Sequence, residues 1–174
     1  MLMEKKFEKI IPLKIKSFSP EGSFFGYASR YTVDLEGDQI LPQAFSKTLE
    51  KLKKCSSHLQ ILWQHEKEHG PIGFCRSLYE DHQGLRVSGQ LLLWKSQGRQ
   101  AYKMMQRGLI QGLSIGFIPI KIQQDFNKNI RQISELDLQE VSLVDQPANP
   151  LAYVEEIKNF KADHLNFGVY KMDP

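Results

Sequence analysis

Three segments of the chain carry residues whose types and spacing suit peptide-bond chemistry. His65-Glu66-Lys67-Glu68-His69 spells H-E-x-x-H, the spacing that puts two zinc-binding histidines on one helical face with a glutamate as base. Gly112-Leu113-Ser114-Ile115-Gly116 spells G-x-S-x-G, which in α/β-hydrolases is a strained turn from strand into helix with an exposed serine nucleophile. The third is a constellation rather than a string. His65, Ser114 and Glu140 supply a base, a hydroxyl and a carboxylate, the parts of a nucleophilic triad.

The neighbouring residues argue against the first two. Gly70-Pro71 follows His69 at once, so a helix long enough to present both histidines cannot form. The bland reading is a polar loop after a strand. Behind Ser114 comes Phe117-Ile118-Pro119-Ile120, with a proline where the hydrolase helix should continue. The remaining histidine downstream, His164, sits near the end of the chain.

The third arrangement has its own logic. The run 59–65 alternates, with Leu59, Ile61, Trp63 and His65 on one parity. Ser114 stands between two glycines, which let a substrate backbone approach closely. Glu140 shares parity with Leu136, Leu138 and Val144, so it is expected to face inward. A buried carboxylate is costly without a hydrogen-bond donor, and a base histidine needs an acceptor on its second ring nitrogen. Each residue also has an ordinary structural reading. Strand serines are common, a lone histidine is usually a satisfied core residue, and Glu140 could pair with a lysine.

The elements that must position these residues read mostly as strands. Residues 9–17 suit an edge strand with an early Pro12, and residues 23–33 are rich in aromatic and β-branched types. Residues 35–42 form a turn-rich connection. Pro42 opens a helix with Ala44, Phe45, Thr48, Leu49 and Leu52 on one face and Lys51, Lys53 and Lys54 at its C-terminal end. Residues 84–94 alternate again. Ser96 caps a helix running to about Arg107, with Ala101, Met104 and Met105 inward and Gly108 as its stop. Two apolar strands follow, 112–122 and 136–144. Residues 151–161 could form a short helix, and the stretch from 155 reads as a loose C-terminal tail. The domain is expected to span 1–154. Strands and helices do not alternate, so a mainly β fold is expected: a mostly antiparallel barrel or sandwich with peripheral helices.

Composition narrows the function classes. The 174 residues suit one domain, and 41% hydrophobic with 25% charged residues is ordinary globular usage. A net charge of +3, with dispersed lysines and arginines, lacks the dense stripe of a nucleic-acid binder. The two cysteines, Cys55 and Cys75, make no CxxC pair and no disulfide framework. The N-terminal residues lack the apolar core of a signal peptide, and no run approaches the ~18 apolar residues of a membrane span.

The chain resembles the prohead proteases of tailed phages. The segments that carry the likeness come in order: GYAS at 26–29 followed by Asp34, GDQILPQAF at 37–45, LWQH at 62–65, PIG at 71–73, GL at 84–85, GLSIGF at 112–117, and LQEVSLVDQPANPLA at 138–152. That family is similar to the herpesvirus assembly proteases. The resemblance implies a β-barrel with surrounding helices and a serine endopeptidase without a cofactor. It implies His65 as base, Ser114 as nucleophile and Glu140 as the third member. The implied substrates are the scaffold, or a scaffold-like segment of the major capsid protein, and the protease itself. The implied place of action is the host cytoplasm, inside the immature capsid. A homodimer or higher homo-oligomer is compatible with it; a membrane or specific nucleic-acid partner is not expected. Gln43 stands where the family carries a glycine. Oxyanion donors are not legible, although backbone amides, Arg107 and Arg131 are candidates. The competing readings are an inactive, scaffold-binding relative and a zinc peptidase using His65, Glu66 and His69.

Overall fold

The computed structural model describes residues 13–18, 22–34 and 37–146. The expectations for Pro12, for a helix over 151–161, for a domain end at 154 and for a loose tail from 155 lie outside these residues. In chain order the elements are β1 (Leu13–Phe18), β2 (Ser23–Arg30), β3 (Asp38–Ile40), α1 (Ser46–Lys54), β4 (Gln60–Trp63), β5 (Gly73–Glu80), β6 (Gly84–Leu91), α2 (Ser96–Gln106), β7 (Gly112–Asp125) and β8 (Ile130–Val144).

All the strands join one curled sheet in the order β3-β8-β4-β5-β6-β2-β1-β7, and β7 pairs back onto β8. The pairings are antiparallel except for β3 and β4, which both run parallel to β8. This is the mainly β, mostly antiparallel core with peripheral helices that the sequence predicts. One expectation fails: β1 is not an edge strand, because it pairs with β2 on one side and with the start of β7 on the other.

β8 is the strand on which the rest is assembled. Along one side it pairs with β7 over nearly its whole length. Its other side is served by three successive segments. β3 pairs with Arg131–Ile133, and β4 pairs with Val141–Leu143. The start of the α1 region fills the gap between them. There the Leu136 N–H donates to the Ala44 carbonyl at 3.1 Å. The buried Thr48 hydroxyl donates to the Leu136 carbonyl at 3.3 Å and accepts from the Leu138 N–H at 3.1 Å. Backbone groups inside a protein must be paired, and a helix residue does here what a strand would otherwise do.

Helix α1 begins at Ser46 rather than at Pro42, because Gln43 adopts φ 69°, outside the helical region. The expected apolar face is nonetheless correct. Ala44, Phe45 and Thr48 are buried, and Leu49 and Leu52 pack against the core. Helix α2 stops at Gly108, which takes φ 68° as a C-terminal glycine should. Ser96 does not cap it: the helix starts at Ser96, Lys95 occupies the cap position, and no side chain caps the end.

Other strand assignments also change, beginning with β3, which lies within the expected turn-rich connection 35–42 because it pairs with β8. β5 was not expected at all. Of its residues only Gly73 and Cys75 are buried, because β4 covers its outer edge only near Gly73 and Phe74, and a half-exposed strand shows no clean alternation. β7 and β8 run well past their apolar portions into one long hairpin with a turn at 126–129, where Ile120, Ile122 and Phe126 are exposed. The core proper lies under the other ends of these strands. It contains Phe24, Phe45, Ile61, Leu85, Phe117 and Val141, all fully or almost fully buried. Each such side chain contributes roughly 1.5–3 kcal/mol relative to exposure.

Candidate active site

The site is built on two opposed pairs in the β7–β8 ladder. Ser114 faces Ser142, and Gly116 faces Glu140. Directly opposed residues of an antiparallel pair put their side chains on the same side of the sheet. These positions therefore form one small patch, while Leu113, Ile115, Val141 and Leu143 occupy the reverse face and belong to the core.

The parity argument for Glu140 reaches the right burial by the wrong route. The register shifts after Gly116: Gly116 is opposite Glu140, but Phe117 is opposite Leu138. Gln139 is thus the extra residue of a β-bulge. Because Gly116 and Phe117 point to opposite faces, so do Glu140 and Leu138. Glu140 is 3% exposed, yet it points away from the leucine with which simple alternation groups it.

His65 arrives from the neighbouring strand. β4 lies beside β8 with Trp63 opposite Leu143, and the chain turns immediately afterwards. His65 is therefore not a strand residue, contrary to the alternation of 59–65. The Glu66 N–H donates to the Trp63 carbonyl at 2.8 Å. Between them Gln64 has φ 48° and His65 φ 62°, the left-handed pair of a type I′ turn. Non-glycine residues pay about 1–2 kcal/mol each for that region, so the turn persists only if its surroundings hold it. They do: the Gln64 N–H donates to the Leu143 carbonyl at 2.9 Å, and the His65 N–H donates to the Ser142 Oγ at 3.2 Å.

The turn delivers the imidazole between the two opposed pairs. His65 Nδ1 is 2.5 Å from Glu140 Oε1, and Nε2 is 2.9 Å from Ser114 Oγ. Glu140 is a carboxylate acceptor, so Nδ1 carries the proton and Nε2 accepts from the serine hydroxyl in the neutral ring. Ser142 adds a bond that sequence reasoning missed, donating its hydroxyl to Glu140 Oε2 at 2.6 Å. Its only sequence signal is the two-residue spacing from Glu140, which puts both on one face of a strand. Ser114 is fully buried, and the His65 side chain is 12% exposed. Cys75 lies near the carboxylate; burial, and then the charge of Glu140, push its thiol pKa up, which keeps it an inert thiol.

The motifs that the local sequence argues against stay unformed. Residues 64–70 are turns and irregular chain, not helix, so His65 and His69 share no helical face. His69 Nδ1 instead pairs with Glu66 Oε2 at 3.0 Å. Ser114 lies within β7 rather than at a strand-to-helix elbow. Arg131 forks onto Asp38, with Nε 2.9 Å from Oδ1 and Nη2 2.5 Å from Oδ2. At about 3.3 Å per residue it is roughly 30 Å along β8 from Glu140. Arg107 is an exposed residue at the end of α2.

The caudovirus prohead serine protease family matches residues 11–166. Over 149 residues the chain is 32% identical to the prohead protease of Enterobacteria phage HK97, covering 84% of this chain and 65% of that protein. Over 137 residues it is 30% identical to the prohead protease of Escherichia phage T5, covering 78% and 63% respectively. The chain thus spans somewhat under two thirds of the length of either relative. Among solved structures, the bacteriophage T4 capsid assembly protease superimposes with a TM-score of 0.61 at 11% identity, covering 81% of this chain and 99% of that one. That likeness is one of fold. The chain belongs to the caudovirus prohead serine protease family.

Proposed function

We propose that this family member is a serine endopeptidase in which Ser114 is the nucleophile, His65 the general base and Glu140 the residue that orients and stabilises the imidazole. One observation carries the reading: a single, largely buried imidazole spans a serine hydroxyl at 2.9 Å and a carboxylate at 2.5 Å through its two nitrogens. Hydroxyl, base and orienting acid in that order are the working parts of acyl transfer.

The steps follow from the geometry. As Ser114 Oγ attacks the scissile carbonyl carbon, its proton passes to His65 Nε2. The carbonyl oxygen takes the negative charge of the tetrahedral intermediate. The imidazolium is stabilised by Glu140, which accepts from Nδ1–H and does not itself take the proton. Nε2–H then protonates the leaving amine, the C–N bond breaks, and an acyl-Ser114 ester remains. Water repeats the sequence, giving its proton to Nε2 and releasing the carboxylic acid product. No cofactor enters these steps.

The proposed substrates are the scaffold or the scaffold-like segment of the major capsid protein, and this chain itself, cut inside the immature capsid in the host cytoplasm. The names of the relatives support this, since they describe prohead proteases and, for a 29% identical match over 84% of this chain, the capsid polyprotein of Pseudomonas phage PAJU2. No helix among the described residues is long and apolar enough to cross a membrane.

The test is covalent labelling. A serine-directed phosphonate should modify Ser114, mapped by mass spectrometry of the intact chain, and His65→Ala should not label. Chelator should leave both labelling and capsid-protein cleavage unchanged, and His69→Ala should label normally. Absence of label in an actively cleaving preparation, or cleavage lost to chelator and restored by zinc, would overturn the reading.

A further inference from the structure

We propose that Ser142 is a positioning residue of this site, coupling the backbone of the His65 turn to the Glu140 carboxylate and thereby setting the imidazole against Ser114. The proposal rests on the serine-protease reading above and extends it to a residue outside the triad.

The argument starts from what one hydroxyl does. Ser142 is fully buried, and a buried hydroxyl must find partners. Its oxygen accepts the His65 N–H at 3.2 Å, and its proton goes to Glu140 Oε2 at 2.6 Å. The other oxygen of that carboxylate holds His65 Nδ1 at 2.5 Å. The bonds close a ring: from the His65 amide to Ser142, from Ser142 to Glu140, and from Glu140 back to the His65 imidazole. A ring that begins and ends on one residue fixes the side chain relative to its own backbone. Neither the turn nor the carboxylate achieves that alone.

The ring answers two physical problems together. Gln64 and His65 are both left-handed, and such a conformation must be imposed by its surroundings. The bond from the His65 N–H is one of those constraints. Glu140 is almost completely buried, and a buried carboxylate with one oxygen unpaired would be costly. The bond to Oε2 is charge-assisted and short, as such bonds are. Rotation of Glu140 about its last torsion would break both of its bonds together, so Ser142 also fixes the direction in which Oε1 presents itself to Nδ1.

A role confined to folding would show in stability alone. Coupling would show at the His65 ring and in the reaction. The full chain is therefore compared with Ser142→Ala and Ser142→Cys. The cysteine is somewhat larger, so it leaves no cavity, but it is only a weak donor and acceptor. One readout is the His65 Nδ1–H proton resonance, which a short bond to a carboxylate places far downfield. The other is the rate of phosphonate labelling at Ser114. With both variants folded by circular dichroism, the downfield resonance should shift or vanish and labelling should slow roughly ten- to a hundred-fold, the size of a lost bond to a charged group. Wild-type resonance and labelling in both variants would overturn the proposal. So would a defect in alanine alone, which would mark Ser142 as a space-filler; should the larger cysteine not fold, the resonance and labelling rate of the alanine variant decide alone. Where wild type itself takes no label but its downfield resonance disappears in the variants, the coupling stands and the protease reading fails.

Discussion

Gly116 faces Glu140 across the β7–β8 pair, and the carboxylate occupies the space where a side chain at Gly116 would begin. A Cβ built there would stand 2.4 Å from Glu140 Oε1 and 3.0 Å from Cδ. The second glycine of G-x-S-x-G is thus explained by the acid rather than by a strained elbow, since no left-handed φ is required at Gly116.

Gly116→Ala should therefore act on the site before it acts on the fold. The new methyl must push Glu140 aside, and the only yielding part is the carboxylate that holds His65. Cleavage should fall by roughly 10²-fold or more, as expected when an imidazole is displaced by about 1 Å. The melting temperature should fall by only a few degrees. A variant with near-normal cleavage would show that Glu140 can rearrange without consequence.

The Gln43 position makes the opposite prediction. Its φ of 69° costs a non-glycine residue about 1–2 kcal/mol, and a glycine gives back somewhat under 1 kcal/mol through the greater freedom of its unfolded chain. Gln43→Gly should raise the melting temperature by about one to three degrees at this chain length and leave the cleavage rate unchanged. A lowered melting temperature would mean that the Gln43 side chain contributes packing worth more than the strain.

What was legible in the sequence followed from how local its cause was. The apolar face of α1 and the stop at Gly108 depend on residues next to one another, and both are where the pattern puts them. His65, Ser114 and Glu140 were singled out by residue type, by flanking glycines and by the order of segments. Their meeting depends on long-range register that no window of sequence contains. The bulge at Gln139 inverts the face of Glu140 relative to Leu138, so alternation could not yield its direction. The turn at Gln64 and His65 carries none of the Gly, Asn or Asp that usually mark such a turn, so the strand pattern runs on past its real end at Trp63. Ser142 was silent because a buried strand serine has many structural uses. β5 was silent because most of it is exposed.

The acid limb of stability should report on Asp81. Tyr27 is fully buried, with Arg30 and Arg86 stacked 4.4 and 4.3 Å from its ring centroid. Its hydroxyl donates to Asp81 at 2.8 Å. Burial works to raise the Asp81 carboxyl, but bonds from the Gln83 N–H, Tyr27, Arg86 and the Gly84 N–H outweigh it and hold the pKa at about 2. A folded-state value below the ordinary one of about 3.9 means stability that is fully present above that value and is lost as pH falls toward 2. Asp81→Asn should lower stability at neutral pH by up to about 2 kcal/mol and flatten its dependence between about pH 4 and pH 2. Thermal melts of both proteins across that window check it; parallel acid limbs would show that other carboxylates dominate.

Ser114→Ala and Glu140→Gln should separate the nucleophile from the acid. Removing the Ser114 hydroxyl removes the atom that forms the acyl bond, so cleavage should fall by several orders of magnitude while the fold is kept. Glutamine at 140 keeps the shape of the carboxylate but loses its charge and one of its two acceptor oxygens. Both oxygens are in use, Oε1 by His65 and Oε2 by Ser142. With the amide oxygen toward His65, the NH₂ meets Ser142 Oγ, and the serine must turn its own proton elsewhere. With the amide reversed, NH₂ opposes the Nδ1 proton and favours the tautomer that cannot accept from Ser114. Either way the imidazolium forms without a neighbouring anion. The rate should drop by roughly 10²–10⁴-fold, leaving more activity than Ser114→Ala. Melting temperature and cleavage rate measured on the same glutamine protein decide the matter. A full rate with a lowered melting point would reduce Glu140 to a structural partner and leave Ser114 and His65 acting as a dyad.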